Sequence, residues 1–409
     1  MRPGANLPAI AAYNEKVVLH AIRPSGGISQ TEIAHRTGLA AQTVSVIVNQ
    51  LLGKGEIRIA GVQHVGRGRP RTLLELVADA RFAVGIHLDP SVLTVVVLDL
   101  AGRVVGQVHS QDVLIEPPDA ATEKIAVLVH DLIERTTPGR GRILGAGVAT
   151  PGAVDTREGW MVTPLWMPAW DRFPIRERMS ALMGMPVAFV KDTVAAVTGE
   201  TWLRAGRADD SSMVFTYIGT GTGLGISIQG EAVDGVSGNG GEIGRLLVSL
   251  GATDADDAFA GRGMDNDPAV LVRRAITSGA LPGEVAESET LAGIDVGFRR
   301  LCAAAASGDD RTTAILTAAG RRVAQAAAVA VEIVDADEAV FGGPYWDLVE
   351  AFYLPECLSV LTGSHRVAQH QVRVTGSAMG HDVGAIGAAA RVLDGHYVPR
   401  ARTLVSEDR

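Results

Sequence analysis

The feature that most constrains this chain is a pattern that occurs twice: an apolar run, a short turn, and a second apolar run. Residues 83–89 lead through a turn into residues 93–99, and residues 213–218 lead through Gly219-Thr220-Gly221-Thr222-Gly223-Leu224-Gly225 into residues 226–228. Runs of this length, rich in Val, Ile and Leu and bounded by turn residues, predict strands. Gly102 turns into a third strand, a helix follows over about 120–136, and a glycine-rich strand over 143–149. Strands alternating with helices predict a mixed α/β sheet. Two such strand pairs on opposite halves of the chain predict a duplicated fold around a cleft.

At 409 residues with 47% hydrophobic content, the chain is too long for one ordinary domain. Cys302 and Cys357 are too few for a disulfide framework and form no Cys-x-x-Cys pair. A reducing, cytoplasmic location is expected. Residues 1–12 hold no apolar core of signal-peptide length, and the apolar stretch over 323–334 is broken by Gln325 and Glu332, so no membrane segment is expected. The net charge of -9 hides an asymmetry. Residues 1–81 carry ten Lys and Arg against five Asp and Glu, a net of +5, which leaves -14 on the remainder. A small basic module precedes a large acidic one.

The basic module reads as three helices and a hairpin. Asn14 is placed to cap a helix running to about Arg23, with Val17, Val18, Ala21 and Ile22 inward and Pro24-Ser25-Gly26-Gly27 ending it. Ser29-Gln30-Thr31-Glu32 has the spacing of a capping box, and Gly38 supplies a turn. A third helix, about 41–52, turns Val44, Val48, Leu51 and Leu52 inward. Its outer face carries Gln42, Thr43, Ser45, Val46, Asn49 and Gln50. Gln and Asn offer paired donors and acceptors to base edges, while Thr and Ser reach phosphates, so this face suits a major groove. A plain three-helix bundle with a solvated polar face satisfies the helices equally well. The next segment decides between them: an apolar alternation at 57–59, a glycine- and arginine-rich tip at 66–71, and a second apolar run at 73–77 form a two-stranded wing. Glycines at the tip let backbone approach DNA, and Arg67, Arg69 and Arg71 suit a narrow minor groove. The segment is expected to be a winged helix-turn-helix that binds double-stranded DNA.

The remainder carries, in order, Gly147-Val148-Ala149-Thr150-Pro151-Gly152, Trp170 with Pro174-Ile175, Gly184-Met185-Pro186-Val187 leading to Lys191-Asp192, Gly199-Glu200, the Gly219 to Gly225 loop, Gly240-Gly241-Glu242-Ile243-Gly244, and residues 335–344. In these stretches it resembles the ROK family of repressors and sugar kinases. The resemblance implies a two-lobed actin/hexokinase-like α/β fold. It divides the chain into a DNA-binding domain at 1–80, a first lobe at 81–196 with a returning helix at 378–398, a second lobe at 197–377, and a tail at 399–409. It places an effector pocket at Gly152, Trp166, Lys191, Asp192, Glu242 and Arg245, and a nucleotide-binding remnant at Gly219, Gly221 and Gly223. Asp192 matches the kinases' general base, here a vestigial candidate.

Departures from the pattern argue against catalysis. The first phosphate-binding turn of the kinases reads Asp89-Pro90-Ser91-Val92-Leu93-Thr94 here; proline removes an N–H, and bulky residues replace those that let backbone approach ATP. No enzyme activity and no ATP cofactor are expected. Lys191, Arg245 and Trp166 replace the family's usual Asn, His and Asn, which suits a phosphorylated, acidic or unusual sugar, or else a pocket that has lost its ligand. The family's zinc site, a histidine with three cysteines, has Arg245 in the histidine's place and no cysteine through residue 262, so no metal is expected. The acidic residues of that loop are read as solvated. The helix over about 312–334 is expected to serve the core rather than an interface. The leading expectation is a repressor of carbohydrate-related genes acting as a homodimer or homotetramer, since one head reads few bases. A sugar kinase with an accessory domain and an effector-independent DNA-binding oligomer are the alternatives.

Overall fold

The computed structural model describes residues 7–63, 70–111, 113–137, 139–204, 211–250, 266–363 and 371–400. Its N-terminal unit comprises α1 (Leu7–Ile22), β1 (Ile28–Ser29), α2 (Gln30–Thr37), α3 (Ala41–Lys54), β2 (Ile57–Gln63) and β3 (Arg71–Leu76), with strand order β1-β3-β2. Helix α1 begins seven residues before the Asn14 cap expected from sequence, so Asn14 lies inside it. Pro8 is no obstacle there, because the first turn of a helix has no use for its N–H. The residues that α1 buries are Val18, Leu19 and Ile22, with Val17 and Ala21 only partly covered. At α2 the Ser29 hydroxyl accepts the Glu32 N–H, the first half of the expected capping box. The Glu32 side chain instead pairs with Arg36 one turn on. Helix α3 buries Val44, Ile47, Val48 and Leu51, and leaves Leu52 partly exposed. Gly38 and Gly55 stop α2 and α3 at φ of 69°, a left-handed conformation that suits glycine.

The large unit opens with β4 (Phe82–Asp89), β5 (Val92–Asp99), β6 (Val104–Ser110), α4 (Pro118–Thr136), β7 (Ile143–Thr150), β8 (Ala153–Asp155), β9 (Trp160–Val162), α5 (Ile175–Met183), β10 (Val187–Lys191) and α6 (Asp192–Leu203). Its second half adds β11 (Met213–Ile218), β12 (Thr222–Ile228), β13 (Glu231–Ala232), α7 (Gly244–Leu250), α8 (Pro268–Thr277), α9 (Leu291–Ala306), α10 (Asp310–Val334), β14 (Glu338–Gly342), α11 (Trp346–Gly363), β15 (Arg373–Gly376) and α12 (Val383–Tyr397). One sheet runs β10-β7-β4-β5-β6 and the other β13-β12-β11-β14-β15. In each, three consecutive strands form an antiparallel meander, one later strand adds in parallel to its first member, and a second adds in parallel to that one. The expected duplication is therefore present in topology as well as in pattern.

Helices α6 and α12 lie between the two sheets, and their approach requires small residues. A Cβ at Gly387 would sit 2.0 Å from the Ala195 carbonyl oxygen, and one at Gly147 would sit 2.0 Å from that of Ala388. Alanines and glycines thus let α12 touch both α6 and the first sheet at backbone distance. Outside this layer, α4 and α5 cover the first sheet, and α8 to α11 cover the second. Helix α10 is long and apolar enough to span a bilayer, yet Leu316, Ala319, Val323 and Ala327 are buried in the second lobe's core.

Candidate functional site

On the head, α3 holds Gln42 and Asn49 exposed and Thr43 and Ser45 half-covered, with Val46 at 53% exposure among them. Arg71 is exposed at the start of β3, where the wing returns. Arg67 and Arg69 lie outside the described residues. Gln42, Thr43, Ser45 and Asn49 thus share one open face of α3.

The second site forms where β7 and β10 end. These strands are parallel with Lys191 opposite Thr150, and ligands of open α/β sheets gather beyond such C-terminal strand ends. Gly152 follows in the turn after β7, at φ of 75° with open space on its Cβ side. Lys191 closes β10, and Asp192 opens α6. The Lys191 side chain is 4% exposed, and its Nζ donates to Oε2 of Glu242 at 2.9 Å. The other Glu242 oxygen accepts the Gly244 N–H. Partial burial pushes the Glu242 carboxyl upward, but the Lys191 ammonium and that N–H outweigh it and hold it below its ordinary value.

Asp192 behaves in the opposite way. Burial dominates and, with Asp89 and Glu242 nearby, raises its carboxyl to about 7 despite Lys191 and the Thr193 N–H. A carboxylate poised there is able to accept a ligand hydroxyl or to share its proton. The structure therefore joins Lys191, Asp192 and Glu242 into one charge cluster. Arg245 stands exposed at the start of α7, and Trp166 is half-buried between β9 and the turn at Pro168–Trp170. Thr150 was not anticipated: it is buried beside Lys191, and its hydroxyl has no hydrogen-bond partner. Its signal was its place at the end of the glycine-rich strand.

The two turns expected to face a nucleotide are both occupied by the chain's own carboxylates. At the first, Asp89 pairs with Val92 across Pro90-Ser91, and the Asp89 carboxylate accepts both the N–H and the hydroxyl of Ser91. At the second, the Thr222 N–H donates to Asp267 at 3.0 Å. Gly219, Gly221 and Gly223 do not use a left-handed backbone. Gly219 and Gly223 instead make room, since a Cβ would lie 2.6 Å from the Tyr217 ring and 2.8 Å from the Thr193 methyl.

The head is fastened to the large unit at the far end of α6. The Arg23 guanidinium lies 3.4 Å from the Trp202 ring centre and donates to the Trp202 carbonyl. Lys16 reaches the Gly395 carbonyl at 2.8 Å, and buried Glu56 accepts from Arg81 and from the Tyr397 hydroxyl. Burial lowers the Lys16 ammonium, although Asp394 opposes it.

Together these features define a two-lobed α/β fold of the actin/hexokinase-like type carrying a winged-helix head. The chain belongs to the ROK family, whose model matches residues 84–394, and a MarR family model matches residues 13–68. A putative xylose repressor of Caldicellulosiruptor is 27% identical over 247 residues, covering 60% of this chain and 61% of the relative. The match spans about three fifths of that relative's length, and of the Bacillus spizizenii xylose repressor's, at 24% identity. The Mycobacterium tuberculosis transcriptional regulator Rv0485 is 27% identical over 97% of this chain and 88% of its own. Among solved structures, a ROK family transcriptional regulator described as a homologue of the E. coli MLC protein superposes with a TM-score of 0.73 at 20% identity, covering 97% of this chain and 99% of its own. A Streptomyces griseus ROK glucokinase superposes with a TM-score of 0.60 at 21% identity, covering 75% and 98%.

Proposed function

We propose that this protein is a cytoplasmic DNA-binding transcriptional regulator, a repressor of carbohydrate-related genes, released or recruited by a sugar or sugar derivative bound in its cleft. Residues 1–80 form the DNA-binding unit in this reading, the lobes at 81–196 with 378–398 and at 197–377 form the sensor, and the tail follows at 399. The observation that carries the reading is α6: it begins at Asp192 in the cleft and ends at Trp202 and Leu203, against the Arg23 end of α1. A rigid helix of 12 residues spans about 18 Å, so displacement of its first turn is delivered to the head. The relatives named as repressors and regulators support the same conclusion.

Kinase activity is not part of this proposal. Phosphoryl transfer depends on backbone N–H groups and a metal positioning the phosphates, and here Asp89 and Asp267 engage the turn N–H groups while Pro90 supplies none. The protein is proposed to work without ATP and without zinc at the family's histidine–cysteine position, with Gly152, Trp166, Lys191, Asp192, Glu242 and Arg245 around the effector and Lys191 and Arg245 favouring an anionic one. Two heads in a homodimer or homotetramer would read a two-fold operator.

The test is binding of the full chain to labelled DNA from upstream of its own gene, with nonspecific competitor at physiological salt. Specific binding is expected, weakened roughly 5- to 100-fold by Gln42→Ala or Asn49→Ala if each reads a base edge. A panel of pentoses, hexoses and their phosphates should contain a compound that changes this affinity and protects the protein from thermal unfolding. Retained DNA binding with no response to any sugar would favour the effector-independent oligomer; ATP-dependent phosphorylation of a panel sugar would restore the kinase.

A further inference from the structure

His109, His381 and Asp382 converge from positions far apart in the chain. His109 lies on β6, the edge strand of the first sheet, paired with Thr94 of β5. His381 and Asp382 lie in the turn between β15, the edge strand of the second sheet, and the start of α12. The Asp382 carboxylate is 11% exposed and makes no cap to its own helix; one of its oxygens is 2.6 Å from His109 Nε2 and 3.4 Å from His381 Nε2. The two imidazoles are 5.3 Å apart by ring centres, and one ligand atom from each of the three residues lies within 4.8 Å of the others.

We propose that these three side chains form a binding site for a borderline divalent metal of the zinc class, which clasps the first sheet's edge to the entrance of α12. Two imidazoles and a carboxylate are ligands such ions favour over the all-oxygen shells of magnesium or calcium. Ligands about 2.0–2.1 Å from a tetrahedral centre stand about 3.4 Å apart, the separation already held between His381 and Asp382. His109 need only exchange its short contact with the carboxylate for a bond to the metal. The exposure of the His381 side chain, 58%, leaves the fourth position to water or to a ligand atom from outside. This site shares no residue with the histidine–cysteine position discussed above, and its occupancy pins the start of α12 to the edge strand of the first sheet.

The experiment is a competition titration of the chelator-stripped full-length protein with Zn2+ against a chromophoric chelator, repeated in excess Mg2+. One equivalent per chain, unaffected by Mg2+, is expected to bind with a dissociation constant in the micromolar range or tighter. His381→Ala and His109→Ala should each weaken it at least tenfold, whereas His35→Ala, on the exposed face of α2, leaves it unchanged. Asp382→Asn separates a metal site from a simple hydrogen bond, since the amide still accepts from His109 but carries no charge. A loss of Zn2+ affinity with an unchanged metal-free melting temperature is the expected result. Binding that is equally strong in His109→Ala and His381→Ala, or no stoichiometric binding by the wild type, overturns the proposal.

Discussion

The hairpins β4–β5 and β11–β12 occupy the same place in the same strand order, yet their turn N–H groups are engaged by carboxylates that come from different places in the chain. In the first, the obstruction is local: Pro90 removes a donor, and Asp89, two residues before Ser91, takes that residue's N–H. In the second, the turn retains its glycines, and the obstruction comes from Asp267, 45 residues further on at the start of α8. A glycine-rich turn is therefore not evidence of an open anion cradle. Whether its N–H groups are free depends on what the tertiary fold brings to them.

The largest expected effect concerns Asp192, whose carboxyl is raised in part by the first hairpin's Asp89. Its folded value of about 7 stands above the ordinary 3.8, so between those pH values the native state holds a proton that the unfolded state has lost. The wild type should lose stability as pH rises from about 4 to about 7, by up to about 4 kcal/mol for the full shift, and then level off. Asp192→Asn removes this slope. Urea denaturation of both proteins at several pH values measures it; parallel pH profiles would show that the buried carboxyl titrates normally.

Next in size are substitutions that ask what the glycines are for. A Cβ at Gly85 in β4 would lie 1.9 Å from the Ala385 carbonyl oxygen, and one at Gly225 in β12 would lie 2.2 Å from that of Thr193. Neither backbone atom can swing away, so each Gly→Ala change should cost roughly 3 kcal/mol. Gly221→Ala, whose nearest neighbour is an Asp267 oxygen at 3.8 Å, should cost no more than about 0.5 kcal/mol. Comparable losses at Gly221 and Gly225 would mean that the second turn, not the helix packing beneath it, demands glycine.

The same distinction between local and remote determinants governs how much could be read from sequence. The Ser29 cap, the buried face of α3, the wing and both strand pairs were legible, because each depends on neighbours a few residues apart. Asp192 and Glu242 were legible only through resemblance, and their opposite electrostatic fates were not, since burial and Lys191 act on them unequally. The start of α1 was missed because Asn14 offers a plausible cap in a segment where Leu7 to Ala12 also favour helix. Asp267 at Thr222, and Arg23 on Trp202 across 179 residues, carried no local signal at all.

A smaller effect isolates the first hairpin's influence on the Lys191–Asp192–Glu242 cluster. Asp89 is buried, one of its oxygens has no hydrogen-bond partner, and its charge helps to raise Asp192. Asp89→Asn should move the midpoint of the Asp192-dependent slope to lower pH, while Asp267→Asn leaves it in place. Carbon-detected NMR of the Asp192 carboxyl follows this directly, and equal movement in both variants would erase the asymmetry between the hairpins.

The smallest effect tests whether either turn retains a latent anion site. Wild-type melting should not respond to 10 mM MgATP. Asp267→Ala frees the Thr222 N–H beside Gly221 and Gly223, whereas Asp89→Ala frees only the Ser91 N–H next to a proline that has none. A dissociation constant of roughly 10 mM in the Asp267 variant would stabilise it by only about 0.4 kcal/mol at that concentration, a shift of a degree or so in melting temperature. The Asp89 variant should show none. A response from Asp89→Ala but not Asp267→Ala would reverse the comparison, placing the surviving cradle in the turn that sequence marks as broken.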